Sequence, residues 1–373
     1  MASTVGAAGD NGPYRVMVVE DATVIRAMLN RTLEQDPLIE VVTSVINGEM
    51  AVSSLQRNPE IEVVLLDIDM PVMDGLTALP KILEVKPEAK VIMNSTLTRA
   101  NADVTLRALA MGAADYLTKP SSSQELRSAE AFARELTEKV KVLGAACRGH
   151  APSPVAGPRA ESAKPAPATA AISLRGGVPQ QPTAIAIGSS TGGPQALFKV
   201  LGGFGARPRQ PVFITQHMPP TFTTLLAEHI GRQTGLPCHE PDDGEAVVGG
   251  QVYLAPGDRH MLVETGDGGA VIRLSDGPQE NFCRPAVDPM LRSLAKVYGA
   301  RLLVAILTGM GADGREGGRS VVEAGGTIIA QDEESSVVWG MPGAVATAGL
   351  CSAVLPLAEI APYISKVAMR SAA

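Results

Sequence analysis

The residues best placed to do chemistry together lie in Gly188-Ser189-Ser190-Thr191-Gly192, after the apolar run Thr183–Ile187 and before a helix-compatible stretch from Gln195. The G-x-S-x-G spacing suits a strand–turn–helix elbow, whose small flanking residues permit a sharp turn and leave the Ser190 hydroxyl exposed above a sheet. The backbone N–H groups that follow, starting with Thr191, stand at a helix N-terminus, where they can hold developing negative charge. The same pentapeptide also suits a glycine-rich turn that cradles a phosphate. A base and an acid must therefore be sought before acyl chemistry is assigned.

A serine hydroxyl is a weak nucleophile until a base takes its proton. Of the five histidines, His150 lies in a proline-rich stretch, His229 inside a helix and His239 in a polar loop; the first two read as solvated. His217 follows the strand Pro211–Gln216, on the edge where Ser190 stands, and is the better base. His260, after Pro256-Gly257-Asp258-Arg259, is the runner-up. The base needs an acid to hold its tautomer. Asp313 qualifies, because it sits in Thr308-Gly309-Met310-Gly311-Ala312-Asp313-Gly314 directly after the apolar strand Leu302–Leu307. Asp288 competes but reads better as a helix N-terminal residue. The glycines near Asp313 allow close backbone approach, and the Met310 and Gly311 N–H groups are candidate oxyanion donors. Asp313 and Glu316 put negative charge where a phosphate would lie, which disfavours a nucleotide site there.

A second constellation lies near the N-terminus. Glu20 and Asp21 end the apolar run Arg15–Val19, Asp67 ends Val63–Leu66, Ser95 follows Lys90–Asn94, and Lys119 follows Asp115–Thr118. In a doubly wound sheet these strand ends share one edge, where ligands bind at the switch point. Crowded carboxylates repel unless a cation joins them, and a few hard oxygen ligands suit Mg2+, which accepts phosphate oxygens as well. Asp67 can then act as a nucleophile and become an aspartyl phosphate, with Lys119 and the Ser95 hydroxyl holding phosphate oxygens.

The elements needed to position these groups alternate. Helices are expected over Val24–Glu34 and Gly48–Asn58 between the first strands, with Pro80 kinking or shortening a later one. Five strand–helix alternations up to residue 146 indicate a parallel sheet with helices on both faces. Leu126, Ala129, Ala133, Leu136, Val140 and Leu143 make one apolar helical stripe, whose length suggests a contact beyond the first domain. Residues 147–182 carry many prolines, no aromatic residue and no periodicity, so they read as a flexible tether. Beyond it, helices over Pro194–Gly202, Thr221–Gln233 and Val287–Tyr298 alternate with strands in a second, largely parallel sheet. Val252–Ala255, His260–Val263 and Val271–Leu274 read as short strands of an antiparallel excursion. The expected organisation is a disordered tail over 1–13, a first domain over 14–146, the tether over 147–182 and a second domain over 183–373.

Composition narrows the class. A chain of 373 residues with 45% hydrophobic and 19% charged residues can bury two cores, although aromatics are only 3%. The net charge of −7 offers no general attraction to nucleic acid or to an anionic membrane. Four well-separated cysteines read as reduced thiols with no metal-like spacing. No signal peptide and no run of membrane-spanning length is recognised, so the chain is expected in the cytoplasm, as a monomer.

The first domain resembles the receiver domain of bacterial response regulators over Arg15 to about Ala133, through V-V-E-D, L-L-D-I-D-M-P-V-M-D-G and the Thr118-Lys119-Pro120 motif. The resemblance implies a flavodoxin-like (βα)5 fold. It also implies phosphorylation of Asp67, phosphate sensing by Ser95 and Lys119, and Mg2+ held by Glu20, Asp21, Asp67 and the Asp69 carbonyl, with a cis Lys119–Pro120 peptide. Glu20 departs from the Asp common in that family, which lengthens one arm of the metal site. The second domain resembles the bacterial chemotaxis protein-glutamate methylesterases through I-G-S-S-T-G-G-P, Q-H-M-P, A-P-G-D-R-H-M, R-P-A-V-D and L-T-G-M-G-A-D-G-R-E-G. That resemblance implies a doubly wound methylesterase domain with Ser190 as nucleophile, His217 as base and Asp313 as orienting acid. It further implies hydrolysis of glutamate methyl esters and deamidation of glutamines on chemoreceptors, and a chemotaxis histidine kinase as phosphodonor. No cofactor is expected for the esterase step. Domain order and resemblance together suggest that the unphosphorylated receiver covers the Ser190 edge. The alternative is a response regulator whose second domain only binds a ligand or a protein.

Overall fold

The computed structural model describes residues 12–96, 98–119, 127–149, 172–176, 180–205 and 207–368. Most of the expected tail and tether, Leu126 and the Lys119–Pro120 peptide lie outside these. The first unit contains β1 (Tyr14–Val19), α1 (Thr23–Glu34), β2 (Ile39–Val45), α2 (Gly48–Arg57), β3 (Val63–Asp67), α3 (Gly75–Val85), β4 (Lys90–Ser95), β5 (Asp115–Thr118) and α5 (Arg127–Cys147); α4 (Arg99–Ala110) falls between β4 and β5 in the chain but is counted with the second unit. The sheet is parallel in the order β2-β1-β3-β4-β5. Its central strands are apolar and buried from Val16 to Val19 and from Val63 to Leu66, as a sheet covered on both faces requires.

Local chemistry sets the helix starts. The Asn47 side chain accepts from Met50 N–H at 2.9 Å to cap α2, and Asp74 accepts from Thr77 N–H at 2.7 Å to cap α3. Of the kinking or shortening expected at Pro80, shortening does not occur: α3 continues past Pro80 to Val85, eleven residues in all. Only one intrahelical bond, from position 80 to the Leu76 carbonyl, is lost to the proline. The long stripe of α5 is explained within the first unit: Leu136, Val140 and Leu143 are fully buried there. Just past the helix, the Arg148 guanidinium lies 4.5 Å from the Tyr14 ring centroid and pairs with Glu62 at 2.9 Å.

The second unit contains β6 (Ala184–Ser189), α6 (Gly193–Gly202), β7 (Val212–Gln216), α7 (Phe222–Thr234), β8 (Cys238–His239), β9 (Val252–Leu254), β10 (His260–Gly266), β11 (Gly269–Ser275), α8 (Val287–Tyr298), β12 (Leu302–Ile306), α9 (Arg315–Glu323), β13 (Thr327–Gln331), α10 (Met341–Thr347), β14 (Ala353–Leu355) and α11 (Leu357–Ala368). Seven strands form one parallel sheet in the order β14-β13-β12-β6-β7-β9-β8. The excursion is smaller than expected. Only β10 and β11 pair antiparallel, while β9, wholly buried and apolar, joins the parallel sheet. The core runs through Ala184, Ala186, Phe213, Tyr253, Val304 and the inner face of α8 at Val287, Met290, Leu291 and Leu294. Because β12, β6 and β7 are neighbours, the loops after all three open on the same edge.

Candidate functional site

Ser190 follows β6 in the chain, His217 follows β7, and Asp313 lies in the loop between β12 and α9. The turn after Ser190 is built for close approach. Gly192 has φ 73°, a left-handed value that side-chain-bearing residues avoid, and a Cβ there would lie 2.6 Å from Val337 Cγ2. Ser190 N–H donates to the Thr308 carbonyl at 3.0 Å, and the Ser190 carbonyl accepts from Gly193 N–H at 2.7 Å and from Gln216 Nε2 at 2.9 Å. His217 N–H donates to the Ser189 carbonyl at 3.2 Å, so the two loops adjoin. The Ser190 hydroxyl has no hydrogen-bond partner among the described residues.

His217 and Asp313 are in direct contact: Nε2 lies 2.8 Å from Asp313 Oδ2. Their side chains are 11% and 1% exposed, so little water competes for the bond. Asp313 Oδ2 also accepts from Val287 N–H at 2.6 Å, and Oδ1 accepts from Asp288 N–H at 2.9 Å, so the start of α8 grips the carboxylate. Burial favours the neutral acid, but the His217 hydrogen bond and charge and these backbone donors outweigh it and hold Asp313 below the usual carboxylate range. For His217, burial works against an imidazolium; charge on the Cys283 sulfur and the bond to Asp313 outweigh it and push the ring up to about 10. Cys283 Sγ lies 3.4 Å from Nδ1, the nitrogen that does not face Asp313.

Met310 and Gly311 precede Asp313 in its loop, and neither N–H is donated to another described residue. Thr191 is 3% exposed, and its carbonyl accepts from the Thr308 hydroxyl at 2.9 Å. The runner-up His260 is occupied elsewhere: Nε2 lies 2.9 Å from the Pro278 carbonyl, and Nδ1 accepts from Ala286 N–H at 3.2 Å. His239 lies between Glu245 and Gln251, and His229, expected in solvent, is buried in α7. An unbonded hydroxyl, a carboxylate-held imidazole and unpaired N–H groups on one sheet edge can support acyl transfer.

The first unit gathers its polar strand ends too. Carboxylate oxygens of Glu20, Asp21 and Asp67 lie within 4.8 Å of one another. Lys119 Nζ pairs with Glu20 Oε2 at 2.9 Å and Asp67 Oδ1 at 2.7 Å. Glu20 Oε1 is buried without a hydrogen-bond partner, an orphaned acceptor that fits a cation at this place. Burial pushes the Asp67 carboxyl up to about 6 against the pull of Lys119, with Glu20 adding to the rise. Ser95, at the end of β4, is 1% exposed and donates to the Thr96 carbonyl at 3.1 Å. Asp69 lies in the loop two residues beyond Asp67.

Two family models match the chain: the response regulator receiver domain over residues 16–130 and the CheB methylesterase over residues 185–364. A protein-glutamate methylesterase/protein-glutamine glutaminase of Paramagnetospirillum magneticum is 59% identical over 95% of this chain and 96% of its own length. The chain belongs to the CheB methylesterase family. A second family member, from Rhodospirillum centenum, is 56% identical over 99% of the chain and 97% of its own length. The CheB methylesterase catalytic domain of Thermotoga maritima, solved by crystallography, is 39% identical with a TM-score of 0.49, covering 50% of this chain and 98% of that one.

Three contacts in this CheB-family site escape sequence reasoning. Asp288 lies in the first turn of α8, where it was expected, but it is also a second buried carboxylate whose backbone N–H holds Asp313. Burial and the charge of Asp313 raise it above the usual carboxylate range, against donors from Gly317, Asn281 and Gly314. Asn281 and Cys283 reach the acid and the base from 32 and 66 residues away along the chain. Their residue types carry no spacing that would point there; only the R-P-A-V-D motif beside them marks the region.

Proposed function

We propose that the chain is a phosphorylation-activated hydrolase that removes methyl esters from glutamate side chains of chemoreceptors, releasing methanol, and deamidates particular receptor glutamines. The observation that carries this reading is the 2.8 Å His217–Asp313 contact on the edge that bears the unbonded Ser190 hydroxyl. Ser190 Oγ attacks the side-chain carbonyl carbon while His217 Nδ1 takes its proton, and Asp313 steadies the imidazolium. The Met310, Gly311 and Thr191 N–H groups are the donors proposed for the oxyanion. The tetrahedral intermediate collapses as the leaving methoxide or amine receives the proton from His217. Water then attacks the acyl-serine with His217 again as base, leaving free glutamate and Ser190. The chemistry needs no cofactor.

In the first unit, Asp67 accepts the phosphoryl group from a chemotaxis histidine kinase, and Lys119 and Ser95 bind its oxygens. Mg2+ would be held by Glu20, Asp21, Asp67 and the Asp69 carbonyl, where it offsets the charge of the phosphoryl oxygens. Phosphorylation relieves inhibition of the hydrolase through contacts that differ between the two states. The proposed domains are 14–146 and 183–373, joined by residues 147–182, in a cytoplasmic monomer; no described helix is long and apolar enough to cross a membrane.

Methanol release from methylated receptor membranes, with and without a small phosphodonor, tests the reading. Ser190→Ala is expected to abolish release while the protein stays folded, and Asp67→Asn to remove the phosphodonor effect but not the basal rate. Wild-type release by Ser190→Ala would reject Ser190 as the nucleophile, and no release by the wild-type protein would leave the binding-module alternative.

A further inference from the structure

We infer that Asn281 and Cys283 are positioning residues for the acid and the base, carried on a tight turn that straps the His217–Asp313 pair from outside the sheet. The inference rests on the triad reading above. Glu280 and Cys283 exchange main-chain hydrogen bonds of 3.1 and 2.9 Å, which close the turn. Its two central residues, Asn281 and Phe282, both have positive φ, 51° and 62°. Two-residue turns of this kind favour Asn followed by Gly, so Phe282 sits where a side chain is strained. The Phe282 side chain is 85% exposed, while the residues on either side reach the triad.

Asn281 offers one amide nitrogen with two hydrogens. One goes to Asp313 Oδ1 at 2.9 Å and the other to Asp288 Oδ2 at 3.0 Å. These carboxylates are 1% and 3% exposed, and side by side they repel. A neutral donor shared between them allows both to remain ionised, and an ionised Asp313 is what fixes the His217 tautomer. Asn281 itself lies at the surface. Cys283 works at the other end of the ring. With Nε2 committed to Asp313, Nδ1 must receive the Ser190 proton, and the Cys283 sulfur is 3.4 Å from it. The sulfur steadies the ring plane and competes with Ser190 for Nδ1. Among the described residues, the charged or titratable groups hydrogen-bonded to the His217 ring are Asp313 and Cys283, and Asp288 shares the Asn281 amide with Asp313.

The test is methanol release by the full-length protein as a function of pH, with Ser190→Ala run alongside. Asn281→Ala is expected to lower kcat by about ten- to a hundredfold with KM unchanged. Asn281→Asp is expected to fall further at alkaline pH and to recover relative to wild type as pH is lowered, because the introduced carboxyl regains a hydrogen to donate. Cys283→Ala is expected to move the acid limb of kcat/KM to lower pH, and Cys283→Ser to keep a kcat nearer wild type than Cys283→Ala. An Asn281→Asp profile parallel to wild type overturns the role of Asn281; an unmoved acid limb in Cys283→Ala overturns that of Cys283. Activity in Ser190→Ala would instead reject the triad itself.

A labelling experiment covers variants that fail to fold. Limited iodoacetamide on the native protein is expected to alkylate Cys283 before Cys147, Cys238 and Cys351, whose thiols burial pushes up, to about 12 for the last two. Activity is expected to fall in step with Cys283 alkylation. Full activity in protein alkylated at Cys283 would show that the sulfur has no hold on the base.

Discussion

The proposed phosphoryl acceptor, Asp67, can attack only as an anion, and its neighbours decide when it is one. Burial raises its carboxyl to about 6, with Lys119 pulling down and Glu20 pushing up. Protons and a divalent cation compete for the same oxygens. Mg2+ binding, followed by calorimetric titration, is therefore expected to weaken as pH falls through about 6. In Asp67→Asn that step should vanish, and a flat wild-type response across it would refute the assignment. The sign for stability follows from the same shift. A carboxyl raised from 3.8 to about 6 binds its proton more tightly in the folded state, so its contribution to stability grows as pH falls through that window.

At the scale of elements, the start of α6 links the proposed nucleophile to its neighbour strand. Gly193 is the first residue of that helix, and a Cβ there would lie 1.9 Å from Gln216 Oε1. Gln216 cannot yield freely: its Oε1 accepts from the Ser189 hydroxyl at 2.7 Å and its Nε2 donates to the Ser190 carbonyl at 2.9 Å. Gly193→Ala is expected to cost about 1–3 kcal/mol in denaturant unfolding, and to lower kcat because Ser190 moves with its backbone. A variant with wild-type stability and rate would show that the turn is more compliant than these contacts indicate.

At the scale of the whole molecule, each of the two units has its own buried core and its own proposed functional edge. Residues 183–373 expressed alone are therefore expected to melt cooperatively and to release methanol from methylated receptor without any response to a phosphodonor. An insoluble fragment would overturn the proposed boundary, and a phosphodonor response would overturn the assignment of control to Asp67.

What the sequence determined by itself was local or periodic. Apolar runs such as Thr183–Ile187 and Leu302–Leu307 announced buried strands, and the turn residues after them marked Ser190, His217 and Asp313 as candidates, because strand-end position is readable from one stretch of chain. The motif resemblance pointed to the family. Tertiary structure decided which strands lie side by side, and only the order β12-β6-β7 gives the loops beyond these strands one common edge. It also decided that His217 meets Asp313 rather than Asp288, that His260 is taken by backbone groups, and that Asn281 and Cys283 touch the pair. Contacts between loops far apart in the chain depend on register and on how α8 packs. No local pattern encodes them, because the energy that selects them comes from burying the whole sheet.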